Sequence, residues 1–340
     1  MYKVEQASAS QLTAWQSHLG SLEGPTAFLE PAWLEVLGQA YPCQTALFVA
    51  RNSDDRICAG ALVYHHARRH RILYSTPFGV TAQNADAGQA LLAELGNYAE
   101  RHNIAASDLT TGSAPIGGSE TRHWTRTSFM LDLGQDHEAF WSSLPSKARN
   151  TIRKAQKQDL AIEIGPEELG AWYEVYANQC LAKRLTIHNA RYFELLFEHF
   201  GDDAVLITAS RGGKVIAGMV FLIGKPFAHY LFNASRPEAL PMGVNSLLMQ
   251  EFADLARGRG VARIELGESR AGSGVYDFKK KQMGGDEIAM HHIDLFPEAR
   301  PARASLNERL HYAARFVWPL LPPLAKRYNL RKLKALHRLI

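Results

Sequence analysis

Two stretches of the chain hold residue types that could do chemistry. The first runs from Met242 to Gly285 and closes on Tyr276, Phe278 and three consecutive lysines, Lys279, Lys280 and Lys281. The loop before it, Gly267-Glu-Ser-Arg-Ala-Gly-Ser-Gly274, is too rich in glycine and serine to hold a regular element. A lysine cluster anchored by aromatic side chains after such a loop suits the handling of an acyl or phosphoryl group. The second stretch is Ser143–Gln158, where Lys147, Arg149, Arg153, Lys154 and Lys157 meet no acid until Asp159. Read as a helix, it carries an apolar stripe of Ala148, Ile152 and Ala155 at i, i+4, i+7. Like charges this close repel by a few tenths of a kcal/mol per pair. An anionic partner relieves that cost: a phosphate, a tRNA backbone or a carboxylated substrate. The alternative is a solvated helix face.

The elements that must position these residues follow an α/β pattern. In the first half, a helix follows Pro31, strands are expected at 45–50, 57–65 and 71–75, a helix at 88–101 and a strand at 106–111. In the second, a helix at 190–200 precedes strands at 204–209, 215–223 and 227–233. There follows a helix entered at Asn245 or Ser246, with Leu247, Leu248, Phe252, Leu255 and Ala256 on its apolar side and Gly258 and Gly260 at its end. A strand at 261–266 completes the series. The halves match at a nearly constant offset. Gly60 and Gly218 lie 158 positions apart, Ile104 and Val261 157. Duplication explains this better than two α/β units sharing an order by accident. Only the second copy carries the aromatic–lysine segment, so a single site is expected there, with the first copy helping to shape an acceptor cleft.

A chain of 340 residues, 46% hydrophobic and 21% charged, is globular and long enough for two domains. Cys43, Cys58 and Cys180 show neither disulfide-framework nor zinc-ligand spacing, which favours a reducing, cytoplasmic setting. The N-terminus lacks a signal-peptide run, and no stretch is long enough to span a bilayer. The net charge of +4 hides an asymmetry: from Arg300 onward ten Lys/Arg face Glu308 alone, a tail of +9 on a body of −5. Pro319, Pro322 and Pro323 divide that tail, and Leu330, Leu333 and Leu336 fall opposite Arg331, Lys334 and Arg338. This is an interfacial pattern suited to an anionic membrane surface or a lipid-linked acceptor; the alternative is a helix packed on the body.

Three ordered motifs carry a family resemblance. They are Trp33-Leu34…Ala40-Tyr41, the Lys147–Ala155 segment (K-x-R-N-x-I-R-K-A), and Gly274-Val-Tyr-Asp-Phe-Lys-Lys280. With them, the chain resembles the FemAB-like transferases over residues 25–290. Among these it is closest to members associated with exopolysaccharide and exosortase systems. The resemblance implies an α/β (α+β) chain of two tandem GNAT folds. Domains are expected at 1–130 and 131–298, with a basic helical tail at 299–340. It also implies acyl transfer, from aminoacyl-tRNA or acyl-CoA, to an amine or hydroxyl of a lipid- or nucleotide-linked envelope or exopolysaccharide precursor. No tightly bound cofactor or metal is expected.

In the family the lysine of the F-K pair lies at the active site, and it maps onto Lys279. There an ammonium could stabilise an oxyanion or hold a phosphate. Tyr276, Glu268 and His188 are candidate proton acceptors. Lys147, Arg149, Asn150, Arg153, Lys154, Arg184, Asn233, Phe278 and Lys280 are candidate substrate contacts. One departure bears on the donor. The R/Q-x-x-G-x-G/A turn that cradles the CoA pyrophosphate is replaced by Arg236-Pro-Glu-Ala-Leu-Pro-Met-Gly-Val-Asn245, with one glycine. Two other readings remain open: an acyl-CoA-dependent acetyltransferase on a sugar or small amine, and a non-catalytic RNA- or membrane-binding adaptor.

Overall fold

The computed structural model describes residues 2–22, 27–66, 72–112, 116, 121–183, 185 and 187–296. Arg184 and the basic tail lie outside the described residues. The chain opens with β1 (Lys3–Gln6), α1 (Ala9–Leu19), α2 (Ala32–Ala40), β2 (Cys43–Arg51), β3 (Ile57–His66), β4 (Ile72–Ala82), α3 (Ala85–Arg101) and β5 (Ala106–Thr111). Next come β6 (Arg122–Asp132), α4 (His137–Ser143), α5 (Ser146–Gln156), β7 (Ala161–Ile164), α6 (Leu169–Lys183), α7 (Ala190–Phe200) and β8 (Ala204–Arg211). The remainder is β9 (Lys214–Leu222), β10 (Phe227–Ser235), α8 (Val244–Gly258), β11 (Arg263–Glu265), α9 (Gly274–Asp277) and β12 (Asp286–Asp294). Among the described residues no helix is long and apolar enough to cross a membrane.

These elements form two compact units, one up to Arg126 together with the described residues from Met290, the other Thr127–Ala289. Strand order in the first is β1-β2-β3-β4-β5-β12, and in the second β7-β8-β9-β10-β11-β6. Each is an antiparallel meander whose fourth strand is followed by a helix and a parallel fifth strand, β4 with β5 and β10 with β11. The sixth strand is exchanged. β6 follows β5 in sequence yet pairs antiparallel with β11, and β12 follows β11 yet pairs antiparallel with β5.

The repeat reaches further upstream than the strand pattern implies. A Cβ on Gly60 would lie 2.3 Å from Trp15 of α1, and one on Gly218 2.4 Å from Trp172 of α6. Both tryptophans are fully buried, so the matched glycines exist to let an indole lie flat on the central strand. α1 and α6, absent from the sequence reading, are thus equivalent helices. Each unit has its own apolar core, centred on Phe48, Leu91 and Leu95 in the first and on Phe221, Leu248 and Phe252 in the second.

Several expected boundaries shift. The strand expected at 71–75 runs on to Ala82, and the helix expected at 88–101 starts at Ala85 behind the Asn84 cap. α8 begins at Val244, with left-handed Gly243 (φ +80°) at its N-cap instead of Asn245 or Ser246. Asn245 Oδ1 instead accepts from Ser235 Oγ at 2.6 Å, and Ser246 is buried. The last parallel strand shortens to Arg263–Glu265, where β6 and β10 flank it.

Candidate functional site

β10 and β11 run side by side only from Phe227–His229 against Arg263–Glu265, and β10 then bulges between Tyr230 and Phe232. Beyond His229 and Glu265 the strands no longer pair, and the second unit opens there as parallel strands do at their carboxyl ends. The Gly267 loop enters this opening. Gly267 has φ +77°, and a Cβ on it would lie 3.6 Å from Lys279 Nζ.

Lys279 points inward. It is 3% exposed, although Lys280 and Lys281 beside it are exposed. Its Nζ donates to the carbonyls of Gly267 at 2.8 Å and Glu268 at 3.3 Å, and lies 5.8 Å from the centre of the Tyr230 ring. The turn Phe278–Gln282 is π-helical, with Met283 N–H donating to Phe278 O at 3.0 Å. Such a wide turn is uncommon and frequent at functional sites; here it sends one lysine of three into the core. Burial pushes the Lys279 ammonium down to about 8, against the pull of the Glu265 and Glu268 carboxylates. Burial raises the Tyr230 hydroxyl as well.

The neighbouring candidates are fixed by other contacts. The Tyr276 hydroxyl donates to Glu287 Oε1 at 2.8 Å, and Lys280 Nζ pairs with the same oxygen, so the pair ties this segment to β12. The Tyr276 ring stands edge-on to Phe129 at 5.1 Å, and Phe278 packs against the core. Lys281 pairs with Asp277 at 2.9 Å. Glu268 meets Lys279 through its carbonyl and its charge. Asn233 lies on β10, its carbonyl accepting from Gln179 Nε2 at 2.9 Å. His188 packs among Tyr192, Phe193 and Phe232, and burial pushes it down to about 4.

The basic helix α5 buries Ala148, Ile152 and Ala155, the stripe read from the sequence. Its cations divide into two sets. Arg149 Nη1 donates to the Leu144 and Ser142 carbonyls at 2.7 and 3.0 Å, so a cation closes the C-terminus of α4. The Arg153 guanidinium lies 5.2 Å from the Trp141 ring centre and donates to Asn150 Oδ1 at 3.4 Å. Lys147, Thr151 and Lys154 share another face at i, i+4, i+7, and that face meets the N-terminus of α8. A Cβ on Gly243 would sit 2.5 Å from Thr151 Cγ2, and Lys154 Nζ donates to Pro241 O at 2.7 Å. Gly243 brings no capping side chain to the first turn of α8, where the Ser246 N–H donates to Gly243 O at 3.1 Å. The two regions adjoin within the unit, since a Cβ on Gly284, after the lysine turn, would lie 3.1 Å from Pro145 at the head of α5.

Sequence reasoning missed Glu265. It is buried between Ile264 and Leu266, with His229 Nδ1 donating to its Oε2 at 3.1 Å and Gly267 N–H donating to its Oε1 at 2.8 Å. Ser128 Oγ donates to Oε1 as well. A signal was present: an acid between Ile264 and Leu266, matched 157 positions earlier by Asp108 on β5. Asp108 likewise takes its partner from the exchanged strand, His292 Nδ1 at 2.7 Å.

Residues 143–280 match the family described as Acetyltransferase (GNAT) domain. No curated protein matches the sequence. Among solved structures, FemX is similar at TM-score 0.70 and 12% identity, covering 86% of this chain and 97% of that one. A tandem GNAT protein from the clavulanic acid biosynthesis pathway gives 0.56 at 13% identity, over 86% and 98%. L-PGS from Bacillus licheniformis gives 0.58 at 14%, over 90% and 98%. Identities this low speak for the fold. Residues 143–280 therefore carry a match to a GNAT-type acetyltransferase domain, and the chain as a whole shares the fold of FemX and of a tandem GNAT protein.

Proposed function

We propose that the protein transfers an aminoacyl or acyl group to an amine, or a hydroxyl, of a cell-envelope or exopolysaccharide precursor. The observation that carries this reading is Lys279, a buried ammonium anchored on two carbonyls where β10 and β11 part. An ammonium held there can stabilise the oxyanion formed when the acceptor attacks the donor ester or thioester. The acceptor nitrogen forms the new C–N bond, the donor oxygen or sulfur leaves, and the acceptor's proton passes to solvent or a nearby base.

The face of Lys147, Thr151 and Lys154 receives an anionic part of a substrate. Two lysines beside a helix N-terminus are electrostatically unfavourable in isolation, because the helix end is itself positive. A phosphate there reverses the sign of both terms. The donor is aminoacyl-tRNA or acyl-CoA. The six-residue turn Pro237–Met242 before Gly243 takes the place of a glycine-rich pyrophosphate cradle, which supports a donor other than acetyl-CoA. The basic tail at 300–340 gives the protein a means of meeting an anionic membrane surface on the cytoplasmic side.

A screen of charged tRNAs and acyl-CoAs against a panel of amine and sugar acceptors, read by mass spectrometry, tests the proposal. Transfer from at least one donor supports it. Salt-sensitive RNA or vesicle binding with no transfer from any donor would favour an adaptor instead.

A further inference from the structure

We propose that Glu265, held by His229, Ser128 and the Gly267 amide, is the positioning residue and buried countercharge for Lys279. The inference rests on the reading that Lys279 serves the reacting centre. Its support is a chain of contacts in the second unit. His229 and Glu265 are register partners on β10 and β11, 0% and 2% exposed. Three donors converge on the Glu265 carboxyl, from His229 Nδ1, Ser128 Oγ and Gly267 N–H. All three contacts use the carboxyl as an acceptor.

The Gly267 hydrogen bond does the positioning. It fixes a residue in the left-handed region, and with it the direction of the Gly267 and Glu268 carbonyls that receive Lys279 Nζ. Glu265 thus acts on the ammonium twice, through the loop it shapes and through its charge. The other groups facing Lys279 are Tyr230 of β10, whose ring lies beside Nζ, and Glu268 of the loop. Glu268 is partly exposed, so its charge is screened by water, whereas that of Glu265 is not. Burial alone would drive a lysine toward its neutral form, and a neutral amine is a poor oxyanion donor. Glu265 holds the proton on.

Glu265→Gln separates charge from shape. The amide oxygen can still accept from Gly267 and Ser128, and its NH2 can donate to the other His229 tautomer. Competitive labelling of the full chain with acetic anhydride across pH, with Lys279 located by fragment mass spectrometry, reads the titration midpoint of that amine without a transfer assay. The expected result is a midpoint in Glu265→Gln lower by ~1 pH unit or more, with Glu265→Asp much nearer wild type. The alkaline limb of the transfer rate should move with it. An unchanged midpoint in folded Glu265→Gln overturns the proposal. So does a drop of ~1 unit in Glu268→Gln, a substitution at a partly exposed loop position that can be read whether or not Glu265→Gln folds. If the midpoint falls but transfer is unaffected, the countercharge stands and the role of Lys279 in transfer fails.

Discussion

Replacing Lys279 by Met should reveal the cost of burying its charge through the pH dependence of stability. Met keeps an unbranched apolar stem in the same space and removes the ammonium. Lys279 titrates near 8 in the fold against 10.5 for an ordinary lysine. The gap corresponds to ~3 kcal/mol of unfavourable interaction with the proton bound. Between those two values the unfolded chain holds more protons than the folded one, so folding stability rises with pH across that window. Below pH 8 the wild type carries the whole penalty, and above 10.5 none of it. The Met variant has no such group, and it lacks a donor to the Gly267 and Glu268 carbonyls at every pH. Urea unfolding of both proteins from pH 7 to 11, followed by tryptophan fluorescence, isolates the group by difference. Wild-type stability minus that of the variant should climb by ~3 kcal/mol across the series, most steeply between 8 and 10.5. A flat difference would refute the burial argument.

Other outcomes follow from the remaining contacts. Lys154→Glu should weaken donor binding at least ~10-fold and flatten its salt dependence, as titration at two ionic strengths would show. Arg149→Ala should instead lower stability by ~1–2 kcal/mol through the uncapped end of α4, while donor affinity in the same titration stays near wild type. Gly243→Ala places a methyl against Thr151 at φ +80°, and should cost ~1–3 kcal/mol by denaturant unfolding. Tyr276→Phe loosens the tie to Glu287 but leaves Lys279 in place. Its transfer rate should fall less than ~10-fold, against on the order of 100-fold for loss of Lys279.

Local signals were legible in the sequence and long-range ones were not. The stripe Ala148, Ile152, Ala155 needed only helical periodicity, and the strand at 204–209 only a short apolar run, and both are present, the strand two residues longer. The offset between Gly60 and Gly218 disclosed the repeat because a central strand pressed by an indole tolerates nothing larger. α6 escaped because apolar residues such as Leu169, Ala171 and Leu181 also lie outside its buried set of Trp172, Val175, Tyr176, Ala177 and Cys180, which blurs the stripe. β6 escaped because its first half, Arg-His-Trp-Thr-Arg-Thr, is polar and its pairing with β11 joins residues far apart in the chain. Lysine triplets read alike in sequence. That Lys279 turns inward while Arg149 turns to cap α4 is decided by one π-helical turn and by the place where α4 ends. Glu265 was hidden for a similar reason, since its partners come from three different segments.

The central claim is that Lys279 supports acyl transfer, and one measurement tests it most directly. Single-turnover transfer from the donor identified by mass spectrometry would be compared for the wild type and Lys279→Ala at pH 7, with donor affinity measured alongside. The account predicts a rate lower by on the order of 100-fold or more with affinity nearly unchanged, because the lysine acts on the oxyanion while Lys147 and Lys154 hold the donor. An unchanged rate in the folded variant, or a loss confined to affinity, would contradict it.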